Sequence, residues 1–190
     1  MELPQMSAAQ GAVLALAAII VFWMVGAYNR LVALRNAIGA AWQQIDTALN
    51  HRSVVLPPLL AALREPLAGE LGALEALQAA QAHAVQAARA LAARPVAVET
   101  AASWVQSEGA MASRTSRVLA LLDQQPGVRD SPAVAALLQA WQQAEAELGF
   151  ARRLFDAAAQ SYNHAVRQLP TRWLVRIYGF GPAGLLGGGA

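Results

Sequence analysis

Residues 11–50 read GAVLALAAIIVFWMVGAYNRLVALRNAIGAAWQQIDTALN. The first part, Gly11 to Ala27, is almost wholly apolar, and no charged side chain lies between Glu2 and Arg30. At 1.5 Å per residue, about 20 such residues cross a hydrocarbon core about 30 Å thick. Phe22, Trp23 and Tyr28 close the run and suit an interfacial aromatic belt. A cleaved signal peptide would carry a positive n-region, a shorter apolar stretch and a small-x-small cleavage site. This chain opens with Glu2 and no Lys or Arg, and no convincing site of that kind follows the run. The run is also apolar on every face, unlike an amphipathic core helix. The reading is therefore a single transmembrane helix over 11–27 behind a short extracytoplasmic N-terminus, 1–10.

The second part of the quoted stretch changes character without a break in helical pattern. Leu31, Leu34, Ile38, Trp42, Ile45 and Leu49 recur at three- and four-residue spacing and so share one face. Arg30, Asn36, Gln43, Gln44, Thr47 and Asn50 occupy the other. The membrane helix is thus expected to run straight into a first bundle helix. Pro57-Pro58 should bend or end it, and the resumption of leucine spacing at Leu59, Leu60 and Leu63 favours a bend. Arginine is absent before the span, whereas Arg30, Arg35, Arg52 and Arg64 follow it. The side richer in Lys and Arg stays cytoplasmic, so the bulk of the chain is expected on the cytoplasmic side of an inner membrane.

Working outward, Pro66 and Gly69 mark a turn, and a second helix reads from about Glu70 to Ala93, stopped by Arg94-Pro95. Its inward residues are expected to be Leu71, Leu74, Leu77, Ala80 or Gln81, Val85, Ala88 and Leu91. A third helix runs from about Val98 to Gln125, with Trp104, Val105, Met111, Val118, Leu119 and Leu122 on its apolar side. Asp130-Ser131-Pro132 looks like a cap followed by proline in the first turn of a fourth helix, about Pro132 to Gln168. Amphipathic helices joined by short loops pack as an antiparallel bundle. The fold class expected is all-α: one N-terminal transmembrane helix continuing into an antiparallel four-helix bundle over 28–170, then a short amphipathic, glycine-rich tail over 171–190. Four crossings return the chain to the membrane, where Arg172, Trp173, Arg176 and Tyr178 either touch lipid headgroups or pack on the open end of the bundle.

Composition narrows the function classes. All 14 basic residues are arginine, and the net charge is only +2, too low and too spread for a nucleic-acid footprint. With no cysteine there is no disulfide framework and no thiolate chemistry. His51, His83 and His164 fall in helices one, two and four without HExxH or zinc spacing. A di-metal bundle would need inward carboxylates, but the expected inward positions are leucine, isoleucine, valine and alanine. Glu145 and Glu147 are two apart and point to different helix faces. The glycines from Gly179 to Gly189 follow no strand and precede no helix, so they form no phosphate loop. No enzyme, cofactor, metal or small-molecule substrate is inferred.

Tyr28 to Leu60 resembles the LemA family, which carries Tyr-Asn, then Leu-Val-x-Leu-Arg-Asn, Ala-Trp-x-Gln-Ile-Asp, a basic residue and a Leu-Ile-Pro-like segment. Tyr28, Asn29, Leu31, Val32, Leu34, Arg35, Asn36, Ala41, Trp42, Gln44, Ile45, Asp46, Arg52 and Pro57 match in one register. Ala151 to Pro170 is similar to a second family block, with Arg152, Tyr162, Asn163 and Pro170 matching, whereas Phe155, Asp156 and Leu169 replace the usual Tyr, Asn and Phe. Ile177, Gly179 and Phe180 extend the match. The middle departs: Gly127-Val128-Arg129-Asp130 replaces a Tyr-Pro-x-Leu-like motif, and the second helix is alanine-rich. The resemblance implies a membrane-anchored helical bundle in scaffolding or membrane organisation; an accessory subunit of a membrane protease or transport complex is the alternative. Arg35, Asp46 and Arg152 are the charged residues expected either to pair between the first and last helices or to stay solvated. Expected partners are membrane lipids and either another protein, docking on the smooth alanine faces, or a second copy.

Overall fold

A computed structural model describes residues 8–168 and 180–187, and every described regular element is helical. The first helix, α1, spans Ala8–Leu63, 56 residues long, and contains Pro57 and Pro58. It is followed by a 3-10 turn (Ala68–Glu70), α2 (Leu71–Ala93), α3 (Val98–Asp123), a four-residue helix α4 (Pro126–Arg129) and α5 (Pro132–Arg167).

The two halves of α1 live in different surroundings. From Gln10 to Arg30 no side chain is buried; Phe22 is 79% exposed and Val13 67%. Burial begins at Leu31 and then follows a seven-residue register. Leu31, Ile38, Ile45, Arg52 and Leu59 form one row, and Trp42, Leu49, Leu56 and Leu63 form the next. Two rows at this spacing are what a helix needs to face a partner along its whole length. Pro57 and Pro58 are exposed and the helix continues through them, as the resumed leucine spacing favours. Their missing N–H groups leave the Ser53 and Val54 carbonyls without intrahelical donors.

α5 carries the matching rows. Val134, Trp141, Leu148, Phe155 and Tyr162 are all buried at seven-residue intervals. Contacts step forward along α1 as they step back along α5: Trp42 meets Phe155 edge-on at 6.5 Å, and His51 Nδ1 lies 2.8 Å from Glu147. α1 approaches α5, and α2 approaches α3, more closely than any other long helices do. Buried alanines explain the close approach, since small side chains let helix axes come together. They are Ala48, Ala144, Ala151, Ala159 and Ala165 in the first pair, and Ala73, Ala84, Ala88 and Ala101 in the second. Larger side chains fill the space between pairs, where Trp42 of α1 meets Trp104 of α3 at 6.3 Å.

Several local expectations are corrected. Leu71 is exposed and Val85 only half-buried, while Ala84 takes the inward place, because the row of α2 runs Leu77, Ala84, Leu91. Pro132 opens α5, but the Ser131 hydroxyl caps nothing; it turns back and donates to the Val128 carbonyl at 2.7 Å. Pro126-Gly127 ends α3 and itself starts the short α4. The core also extends past Pro170: Phe180, Ala183 and Leu186 are buried in the same cluster as Leu31, Ile38 and Tyr162.

Candidate functional site

Two apolar clusters make up the core. One joins Leu31–Leu49 of α1 to Leu148–Val166 of α5; the other joins Val55–Leu63 to Val134–Trp141. Arg52 sits between them, only 1% exposed. It occupies the row position that Ile45 and Leu59 occupy one heptad away on either side. The same logic places Glu108 seven residues after Ala101 on α3, and Glu145 and Arg152 in line with Leu138 and Ala159 on α5. Four charged side chains from three helices thus meet at one level, with Arg52 and Glu108 inside the core, Arg152 half-buried and Glu145 at its exposed edge.

Arg52 donates through both terminal nitrogens to the Glu108 carboxylate, at 2.7 and 2.6 Å, in a fork-to-fork pair. It also reaches Glu145 at 3.3 Å. Arg152 donates to the Glu108 Oε2 at 3.1 Å, and its guanidinium lies 4.4 Å from the centre of the Trp104 ring. Two arginines and two carboxylates balance in charge. Burial lowers the Arg52 pKa, but the bond and the field of Glu108 outweigh it, so the guanidinium is held more firmly charged than usual. Burial prevails at Arg152, which is lowered despite Glu108. Neither direction brings an arginine near neutral. The Nε atoms of Arg52 and Arg152 and the Trp104 indole N–H are buried without a hydrogen-bond partner among the described residues.

This corrects two expectations. The inward positions are not purely apolar, because Glu108 is 7% exposed inside the core. Glu145 and Glu147 do not part ways: both reach α1, the first to Arg52 and the second to His51. Among the described residues no group of acidic and histidine side chains is arranged to hold a metal ion; the inward carboxylates are already taken up by arginine. His83 is exposed, and His164 meets Gln168 at 2.7 Å. Sequence reasoning missed Glu108, although a carboxylate on a seven-residue apolar row was a readable signal.

The second polar arrangement holds the C-terminal segment. Asn163 accepts the Ala183 N–H at 2.7 Å and donates to the Ala183 carbonyl at 2.9 Å. One helical repeat earlier, Asp156 accepts the N–H groups of Leu186 and Gly187, each at 2.7 Å. The far side of the segment lies against α3: a Cβ on Gly184 would stand 2.5 Å from the Ala101 Cβ and 3.1 Å from the Val98 Cα. Phe180 packs edge-on to Tyr28 at 6.0 Å.

The other residues singled out by sequence are placed as follows. Trp42 and Tyr162 are buried, and burial raises the Tyr162 phenol above its usual range, opposed by Arg35. Leu34 is half-buried against the core. Arg35 is exposed and makes no ion pair with the described residues, while Asp46 bonds only Asn50 within α1, at 3.4 Å, so of the three expected charged partners only Arg152 pairs between helices. Asn29, Asn36 and Gln44 are exposed. Pro170, Arg172, Trp173, Arg176 and Tyr178 lie outside the described residues. Tyr28 and Asn163 do come to one place, joined through Phe180 and Ala183. Two surface grooves border α2. One of about 750 Å³ opens between α1 and α2 beside Ser53, Leu56, Leu60 and Gln81. Another of about 760 Å³ runs over the alanines of α2 and α3.

None of the curated proteins matches this chain. The model of the LemA family matches residues 41–187, a stretch that takes in all four members of the charge cluster and ends on Gly187, the last residue held by Asp156. That match covers well over half of the 190 residues and includes only the later part of the Tyr28–Leu60 resemblance, and on it the chain belongs to the LemA family.

Proposed function

We propose that this LemA-family chain is a single-pass protein of the bacterial inner membrane, and that its helices form an antiparallel four-helix bundle on the cytoplasmic side. The bundle acts as a scaffold or protein-interaction surface and not as an enzyme. The observation that carries this reading is the first part of α1: from Gly11 to Ala27 it is apolar, unburied and continuous with the helix that enters the core. A span of that length left uncovered by the protein's own packing matches the thickness of a bilayer core. Arginine only on the C-terminal side of the span supports the cytoplasmic placement. The buried charges support a structural role, since each carboxylate is engaged by arginine and none is offered to a substrate.

Topology is tested with single cysteines at Ser7 and Ser131, labelled in intact cells by a membrane-impermeant thiol reagent; the native chain supplies no background. Labelling at Ser7 alone is the expected result, and labelling at Ser131 alone would place the bundle on the outer side. Crosslinking in membranes tests the interaction role. Self-adducts or several neighbours fit a scaffold, whereas a single dominant foreign adduct would make the chain an accessory subunit of a defined complex.

A further inference from the structure

The segment from Phe180 to Gly187 is held differently from every other part of the core. Its polar contacts with α5 are made by two side chains, Asp156 and Asn163, to the segment's backbone, through four hydrogen bonds of 2.7–2.9 Å. Three apolar side chains, Phe180, Ala183 and Leu186, are inserted at three-residue spacing. At Gly184 the cleft leaves no room for a side chain, because a Cβ there would meet the Ala101 Cβ and the Val98 backbone; at the exposed Gly187 a Cβ would lie 2.6 Å from the Asp156 Oδ2 and would push that carboxylate aside. Backbone anchoring plus pockets for alternate side chains is how proteins bind peptides.

We propose that the cleft between the start of α3 and the face of α5 bearing Asp156 and Asn163 is a peptide-docking site for a Phe-x-x-Ala-Gly-x-Leu-Gly segment, and that it takes this segment from a second copy of the chain as well as from its own. The cleft recognises nothing that marks the segment as belonging to the same molecule. Residues 169–179 connect it to α5, a length of chain that reaches at most about 40 Å when extended. Two packed layers of helices, each about 10–12 Å across, are about 20–24 Å thick, so the cleft of an adjoining copy lies within that reach. Exchange of an identical element preserves all four of these hydrogen bonds and makes a dimer at little cost. The short connection gives the chain's own segment the advantage in dilute solution, and close packing of copies favours exchange. The inference deepens the interaction role proposed above by naming one partner and one site.

Two full-length variants in detergent test it. Gly184→Leu spoils the segment and leaves the cleft; Asp156→Ala with Asn163→Ala spoils the cleft and leaves the segment. Labelled with donor and acceptor dyes, the mixture of the two should associate about tenfold or more tightly than either variant alone, because only the mixture contains one sound cleft and one sound segment. Association no tighter in the mixture than in the separate variants, with helical circular dichroism intact, overturns the exchange. Should Gly184→Leu lose helix content, Gly187→Ala replaces it, disturbing only the Asp156 contact. Absence of pairing here leaves the broader interaction role standing, because membrane crosslinking reads foreign partners independently.

Discussion

Arg52 occupies a place where the helix on either side presents Ile45 and Leu59 to the core. A charge there is tolerable only because Glu108 meets both ends of its guanidinium and Glu145 and Arg152 complete the balance. Breaking such a set by removing one member leaves an uncompensated buried charge, at about 3–5 kcal/mol. Glu108→Gln is therefore expected to lose about that much stability in urea denaturation. Replacing Arg52, Glu108 and Arg152 together by Met or Leu should cost far less, or even stabilise by about 1–4 kcal/mol; equal damage from the single and triple variants would refute the paired-charge account. Glu147 offers a test by pH. Hydrogen bonds from His51, then Gln143, hold its carboxyl below the usual range. A carboxylate whose folded-state pKa is depressed contributes stability above its unfolded-state pKa and loses it as pH falls through the folded value. Glu147→Gln should flatten the acid limb of a melting-temperature profile, and an unchanged limb would show the pair to be idle. At this scale the sequence was only half legible. The register of Arg52 and Glu108 could be counted from apolar neighbours seven residues apart, but which carboxylate meets which arginine depends on how α3 is set against α1 and α5, and no local pattern encodes that.

At the scale of elements the reading was sharper, because periodicity, proline and glycine act locally. The expected helices at 70–93, 98–125 and 132–168 stand beside Leu71–Ala93, Val98–Asp123 and Pro132–Arg167. Pro57 and Pro58 show why a local rule needs tertiary context. Proline in a helix interior costs about 3 kcal/mol, yet Val55, Leu56, Leu59 and Leu60 on the buried side hold the helix together around them. Pro57→Ala and Pro58→Ala should each raise stability, by about 1 kcal/mol or more, by restoring a backbone donor. A loss on substitution would mean that the prolines shape the groove beside Leu56 and Leu60 rather than burden the helix. The segment from Phe180 to Gly187 was the element least legible in advance. Its glycines suggest a loose tail, and only the neighbours of Gly184 on α3 explain why a side chain is excluded there.

For the whole molecule, the boundary between exposed and buried falls at Leu31, and no described residue before it is buried, although Tyr28 packs against Phe180. A chain beginning at Tyr28 should therefore keep its helical circular dichroism and cooperative melt, and should need no detergent to remain dispersed; sedimentation in plain buffer checks this. Aggregation of that shortened chain would point instead to a second apolar surface, with the groove between α1 and α2 the place to look. Shape could be anticipated in outline from sequence, since an apolar run passing into an amphipathic one without glycine or proline between them demands a single rod. The pairing of close α1/α5 and α2/α3 helices could not, because it depends on alanines whose small size gives no periodic signal of its own.

That rod has a mechanical meaning. Nothing from Gly11 to Val55 interrupts α1 with a proline, so in the single-pass arrangement proposed above the lipid-embedded shaft and its load would turn together. Helices in bilayers lean by about 20° on average, more where the membrane is thin relative to the apolar stretch. From Leu31 to Leu63 the lever arm is about 50 Å at 1.5 Å per residue. A change of lean from upright to 20° would sweep its far end sideways by about 17 Å. A thinning membrane would tip the bundle toward its surface and a thickening one would stand it up, converting bilayer thickness into the height at which the far end is presented.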